Sequence, residues 1–223
     1  MKALWAILRK DIQQEARSAA ILPTVLAFTA TSLLLILYTL RAQNLDPTPQ
    51  SGLLWIVLLF ASLTASQRVF LHERDQQTLP ILLLHGHPLS IYGGKFLFNM
   101  TVLASLITLF SLLYVLLINS SIAHWGAFVI LIVAGSIGLA GVTTITSAMM
   151  AQTDKRGALF SVISIPLLVP LIMILSRVTT TVFSTGTLDS SWNDVAALVG
   201  FCGVNITLGI MFFESLFKEA SAQ

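Results

Sequence analysis

Trp125-Gly-Ala-Phe-Val-Ile-Leu-Ile-Val-Ala-Gly-Ser-Ile-Gly-Leu-Ala-Gly-Val-Thr-Thr-Ile-Thr-Ser-Ala-Met-Met-Ala151 passes without one ionisable side chain. A helix of about 20 apolar residues crosses the roughly 30 Å hydrocarbon core of a bilayer, so this stretch reads as a membrane span. Working outward, five further runs meet the same requirement: Ala19 to Leu40, Gly52 to Leu71, Phe96 to Ile118, Gly157 to Ser176 and, marginally, Val195 to Phe213. Six spans in 223 residues leave room for short connections only.

The charges orient these spans. Of the 12 Lys and Arg residues, Lys2, Arg9, Lys10, Arg17, Arg68, Arg74, Lys95, Lys155, Arg156 and Lys218 fall on one side if the spans alternate, and only Arg41 and Arg177 on the other. Cytoplasmic loops carry the excess of positive charge, so both termini are expected in the cytoplasm. Composition agrees with a bilayer location: 56% of residues are hydrophobic, 10% are charged, against about 25% charged in soluble domains, and the mean hydropathy is +0.87. The net charge of +2 and the pI near 8.9 therefore report topology, not nucleic-acid affinity. Cys202 is the single cysteine, so no disulfide forms within the chain, and its Gly200-Phe-Cys-Gly203 setting reads as packing.

The charged amino terminus followed by an apolar run resembles a signal peptide, but the run exceeds the 7 to 15 residues of a signal core and no clean small-residue cleavage site follows. It is expected to stay as the first span. Residues 1–18 before it place Leu4, Trp5, Leu8 and Ile12 on one helical face and Lys2, Arg9, Gln13 and Arg17 largely elsewhere. That is the pattern of an amphipathic helix lying in the membrane interface against lipid.

Between the spans, Asp46-Pro-Thr-Pro49 reads as a polar turn-rich link, and Asn119 to His124 is shorter still. Arg177 to Asp194 reads either as a short re-entrant or interfacial helix or as a plain loop. The largest non-membrane stretch, 72–94, contains His72-Glu-Arg-Asp75, then Thr78-Leu-Pro-Ile-Leu-Leu-Leu84, then His85-Gly-His-Pro88. Its apolar part is too short to span and is expected as a cytoplasmic surface helix, with Thr78 at the N-cap and Pro80 in the first turn. Leu79, Leu82 and Leu83 have the spacing of one helix face that fills a partner's groove, with Glu73, Arg74 and Asp75 at its rim.

No catalytic chemistry is legible. Gly94-Lys95 is the only Gly-Lys pair, and a phosphate loop would need Gly at 89 and Ser or Thr at 96, where the chain has Leu89 and Phe96. The four histidines, His72, His85, His87 and His124, lack metal-ligand spacing. No acidic residue falls mid-span, so the ion-coupling groups of secondary transporters are missing. Energy for any transport must come from another subunit. Two spans carry internal features: Gly135, Gly138 and Gly141 lead into Thr143, Thr144, Thr146 and Ser147, which permits close helix contact, and Pro166 and Pro170 lie four apart on one face of a span they are expected to bend. Both features read either as bundle packing or as a membrane path or hinge.

Taken with these elements, Trp5-Ala-Ile-Leu-Arg-Lys-Asp-Ile12, Gly52-Leu-Leu-Trp55, Gln67-Arg-Val-Phe70, Thr78-Leu79, Leu82, Pro88, Lys155-Arg-Gly157 and Ile165-Pro-Leu-Leu-Val-Pro-Leu171 resemble the CcmB family, the B subunit of the haem exporter of cytochrome c maturation. The resemblance covers nearly the whole chain, and the 67–88 and 155–171 blocks are its distinctive parts. Gln67, Gln77 and Pro80 depart from the family pattern of acidic residue, glycine and acidic residue. The resemblance implies one all-α domain over 1–223 with an ABC-2-type exporter fold: six transmembrane helices, an interfacial helix and a cytoplasmic coupling helix. It also implies a bacterial inner-membrane permease that is not itself an enzyme and that forms a homodimer. Its partners would be a separate ABC ATPase subunit that binds ATP, docked through Glu73, Arg74, Asp75, Thr78, Leu79, Leu82 and Leu83, and haem-handling C and D subunits. Haem is then the transported ligand rather than a resident cofactor, either conducted by this subunit or released from a neighbour. The other readings are an ABC-2 permease for a lipid, glycan or drug, and a non-transporting membrane assembly scaffold.

Overall fold

The computed structural model describes residues 2–18, 21–40, 46–67, 69–70, 87–118, 122, 125–151, 158–184 and 192–220. Among these residues the chain forms seven α-helices and no strand: α1 (Lys2–Ser18), α2 (Ile21–Leu40), α3 (Pro47–Ser66), α4 (Pro88–Ile118), α5 (Trp125–Ala151), α6 (Ala158–Ser184) and α7 (Trp192–Ala220). Helices α3 to α7 are each long and apolar enough to cross a membrane; the apolar part of α2, Pro23–Thr39, is shorter. An all-helical membrane protein follows, because hydrocarbon leaves backbone groups no partner but their own helix.

Helix α5 is the centre of the bundle, packing against α3, α4, α6 and α7. Its membrane-length window is 72% buried, against 17% in α7. Leu139, Ala140 and Val142 of α5 join Leu58 and Ala61 of α3, Ile107 of α4 and Leu168, Leu171 and Leu175 of α6 in one continuous core. The outward faces of α2, α6 and α7 stay apolar and exposed, for example Leu34, Val162 and Val204, which is what lipid requires.

Several helices differ from the spans expected of them. Helix α3 begins at Pro47, five residues before the apolar run, and ends at Ser66. Extended Asp46 caps it, with Gln50 N–H donating to the Asp46 carbonyl at 3.2 Å. The Asp46-Pro-Thr-Pro49 link is thus the first helical turn, where proline costs no hydrogen bond. The same holds for α4: Pro88 is its first residue, and the His87 carbonyl accepts from Ser90 N–H and Ile91 N–H. The end of the expected 72–94 coupling segment, Pro88 to Gly94, is therefore the start of a 31-residue helix, longer than the roughly 20 residues a bilayer needs.

Helix α6 runs through Arg177 to Ser184, which sequence had assigned to a loop or re-entrant segment. Its hydroxyls turn back on the helix: Thr179, Thr180 and Thr181 donate to the carbonyls of Leu175, Ser176 and Arg177. Hydroxyls satisfied in this way cost the helix little. Helix α7 likewise starts at Trp192, not Val195, and extends past Phe213.

Candidate functional site

The row of small residues on α5 is filled by its neighbours. A Cβ added at Gly135 would lie 2.5 Å from Trp55 Cη2, one at Gly138 would lie 2.8 Å from Leu171 Cδ2, and one at Gly141 would lie 3.3 Å from Asn205 Cβ. Helices α3, α6 and α7 thus each approach α5 at a glycine, so close backbone contact is what this row provides. Trp55 is fixed there by its indole Nε1–H, which donates to Thr179 Oγ1 at 2.8 Å.

One turn beyond Gly141 the interior becomes polar. Asn99 of α4, 1% exposed, donates through Nδ2 to Thr143 Oγ1 and Thr144 Oγ1, both at 2.9 Å, and accepts from Ser66 Oγ at 2.9 Å. Ser164 Oγ donates to Thr146 Oγ1 at 2.9 Å. Four helices are therefore joined by side-chain hydrogen bonds at this end. At the opposite end Ser51 bonds Thr180 at 2.6 Å and Ser176 at 3.2 Å, and Tyr114 donates to the Gln50 carbonyl at 2.8 Å. Sequence expected the hydroxyl row of α5; it missed Asn99, whose only signal is an amide inside the Phe96 to Ile118 run.

Pro166 and Pro170 both lie inside α6 and both face outward. Neither can donate to the preceding turn, which frees the carbonyls of Val162 and Pro166 on that side. Gly138 and Leu171 meet on the inner side of the same region.

Helix α1 is not only a surface element. Leu8 is buried while Trp5 and Ile12 are 62% and 44% exposed, so the expected apolar face is divided between the bundle and the outside. Leu4 and Ile7 reach the backbone of α4 where Gly93 and Gly94 would otherwise carry side chains. Next to this contact, Asp11 and Lys95 are buried together, their side chains 4% and 2% exposed, with Lys95 Nζ 3.0 Å from Asp11 Oδ2. Lys10 Nζ lies 3.2 Å from Asp11 Oδ1. Lys95 Nζ also donates to the Val69 carbonyl at 2.9 Å and stands 5.5 Å from the centre of the Phe70 ring. A second apolar cluster of Val69, Phe70, Ile91, Tyr92, Ala148 and Phe213 surrounds them. The Gly94-Lys95 pair, which does not fit a phosphate loop, is together with Gly93 the seat of α1.

A cleft of about 250 Å³ separates α2 from α4, lined by Val25, Thr29, Leu33, Leu106 and Phe110 among others. The hydroxyls of Thr29 and Ser105 there donate to their own helices at the carbonyls of Val25 and Val102, both at 2.8 Å. The expected coupling residues Glu73, Arg74, Asp75, Thr78, Leu79, Leu82 and Leu83 lie outside the described residues, as do His72, His85 and His124. Among the described residues no three of His, Cys, Asp and Glu gather as a metal site would require.

Comparison with known proteins matches the family described as CcmB protein to residues 2–215. A protein named heme exporter protein B from Haemophilus influenzae is 24% identical over 179 residues, covering 77% of this chain and 79% of that protein.

Proposed function

The chain belongs to the CcmB protein family, and on that premise we propose that it is the permease subunit of an ATP-driven complex that delivers or releases haem on the periplasmic side for c-type cytochrome biogenesis. The family match over residues 2–215, carried on five helices that can span a membrane, is the observation that supports this reading most strongly. In this reading α2 is the sixth span, both termini and the α1 end of the bundle are cytoplasmic in a bacterial inner membrane, and the chain is one domain that works as a homodimer.

The parts divide as follows. Exposed Trp5 and Ile12, with Arg9 and Arg17 on the outer side of α1, suit the headgroup layer, where an amphipathic helix gains from apolar burial and from anionic lipid together. The chain has no phosphate loop, so ATP is hydrolysed by a separate ABC ATPase. That partner docks on the stretch between α3 and α4 through the leucine face Leu79, Leu82 and Leu83, flanked by Glu73, Arg74, Asp75 and Thr78. Motion then reaches α5 and α6, where Gly138 lets Leu171 slide across it and the carbonyls freed by Pro166 and Pro170 permit α6 to flex; Gly135 and Gly141 are the companion contact points. The C and D subunits handle haem beside it. The apolar cleft at α2 holds no His, Cys or Met among its lining residues, which favours release of haem held by a neighbour over conduction through this subunit.

Expression of the chain in a bacterium deleted for its own haem exporter B should restore haem-stained c-type cytochromes, and an ABC ATPase should co-purify with it. Restoration failing while the chain is present in the inner membrane at normal level, with its ATPase bound, would point to another substrate. Loss of both would leave a scaffold.

A further inference from the structure

The Asp11–Lys95 pair belongs to none of the parts assigned above, and apolar docking of α1 does not require it, since Leu4 and Ile7 already seat that helix on Gly93 and Gly94. Burying an ammonium and a carboxylate carries a desolvation cost that an apolar pair of the same shape avoids. What a buried ammonium adds is several donors held at one point. Lys95 engages two different elements: it pairs with the charge of Asp11 on α1 at 3.0 Å and donates to the carbonyl of Val69 past the end of α3 at 2.9 Å. Val69 and Phe70 form the turn that leaves α3, and Lys95 sits two turns into α4. The Lys95 to Val69 bond spans 26 positions of sequence and so closes the base of the chain joining these two helices. The Phe70 ring under Lys95 Nζ, packed in turn on Phe213 with ring centres 5.9 Å apart, adds a cation–π contact on the same side.

We infer that Lys95 is a positioning residue that ties both roots of the α3–α4 connection to α1, so that force entering through the connection moves α1, the end of α3 and the start of α4 as one body. The inference rests on the proposed function only for the source of that force. The tie itself is independent of what the protein transports. Without it, α1 would still dock, but the turn at Val69 would be held to α4 by apolar packing alone.

The test uses the full chain in native membranes, in a Cys202→Ser background. Val69→Cys, at a site 3% exposed, reports the turn by its rate of maleimide labelling. A Leu4→Cys and Gly93→Cys pair reports α1 docking by oxidative cross-linking. The decisive variant is Asp11→Leu with Lys95→Met, which removes both charges and keeps apolar volume. It should accumulate normally and cross-link as wild type, yet label at position 69 about tenfold faster or more, because a charge-assisted bond to the Val69 carbonyl is gone. The yield of c-type cytochrome per chain should fall several-fold. Lys95→Arg, which retains the charge and N–H donors, should label within about threefold of wild type.

Wild-type shielding at position 69 in the neutral double variant would overturn the tie. So would labelling in Lys95→Arg as fast as in the neutral variant. Failure of the neutral variant to accumulate would assign the pair to folding instead of positioning. Faster labelling with unchanged cytochrome yield would show a tie that transmits nothing. If the wild-type chain itself supports no cytochrome maturation, the proposed function fails, while the labelling arms still decide the tie.

Discussion

Gly135→Ala adds one methyl group at a contact between α3 and α5 that leaves no room for it, and its cost can be worked from the neighbours. The new Cβ would stand 2.5 Å from Trp55 Cη2 and 2.9 Å from Cζ3. The indole cannot swing aside cheaply: the residue is 2% exposed, and its Nε1–H is held by Thr179 at 2.8 Å. Overpacking of this kind costs about 1–3 kcal/mol, partly offset by the ~1 kcal/mol by which alanine exceeds glycine in a helix. Gly126 on the same helix supplies the control, because a Cβ there meets nothing within 4 Å. Gly126→Ala should be neutral or stabilising by up to ~1 kcal/mol, so the two alanine variants should differ by about 1–3 kcal/mol in the unfolding of the purified protein in detergent.

A double-mutant cycle identifies the cause. Trp55→Phe removes the ring atoms that meet the new methyl, and Thr179 still donates to the Leu175 carbonyl at 2.7 Å. Combined with Gly135→Ala it should show a favourable coupling of about 1–2 kcal/mol, within the range found for residues in contact. Gly135→Ala behaving like Gly126→Ala, or adding independently to Trp55→Phe, would refute the claim that this glycine exists to admit the indole.

For topology, single cysteines at exposed Thr48 and Gln13 in a Cys202→Ser background should label with an impermeant reagent from the periplasmic side and not, respectively; reversal of that pair would invert the chain. Ser51 is unsuitable as a probe because it is fully buried against Ser176 and Thr180. Replacing Pro166 and Pro170 by leucine, on the outward face of α6, should leave insertion unchanged and stability within about 1 kcal/mol or higher, while cytochrome maturation falls; full maturation would remove the hinge. Leu82→Asp should leave the chain in the membrane but abolish ATPase co-purification, since an unpaired carboxylate in an apolar groove is costly; wild-type retention of the ATPase would place the docking surface elsewhere.

Five of the expected spans and their order were legible because membrane spans are defined by uninterrupted apolar length, a property that survives without knowledge of neighbours. Their ends were not. Hydropathy dates a helix from its first apolar residue, but α3 and α4 start at Pro47 and Pro88, where backbone preference for a first turn decides. The polar run Thr179 to Thr181 was open to a loop or a separate short helix for the same reason, since composition cannot show that hydroxyls bond back to their own helix. The small-residue row of α5 was readable as a close-contact surface, but not which side chains enter it. Lys95 entered the sequence reading as one of the charges that orient the spans and as half of the Gly94-Lys95 pair, and Asp11 only within the Trp5 to Ile12 stretch, because pairing across 84 positions (95 − 11) has no local signature.

Those missed polar groups fall into a physical pattern. Between helices in lipid, apolar burial gives little net drive, so register must come from close backbone approach and from hydrogen bonds. The glycines of α5 supply the first in the middle of the bundle. Ser51, Tyr114 and Thr180 at one end, and Ser66, Asn99, Thr143 and Thr144 toward the other, supply the second. Beyond the inner polar layer, at the end where α1 docks, the ties become ionic, with Lys95 joining α1 to the turn after α3. A bundle pinned at both polar layers and packed at glycines between them can transmit displacement along α4, which carries Lys95 and Asn99 about one turn apart and Tyr114 further along the same helix. On the proposed function, α4 and not the proline-bearing α6 is the element through which a push at the α1 end would first enter the core, with α6 expected to respond where Leu171 meets Gly138.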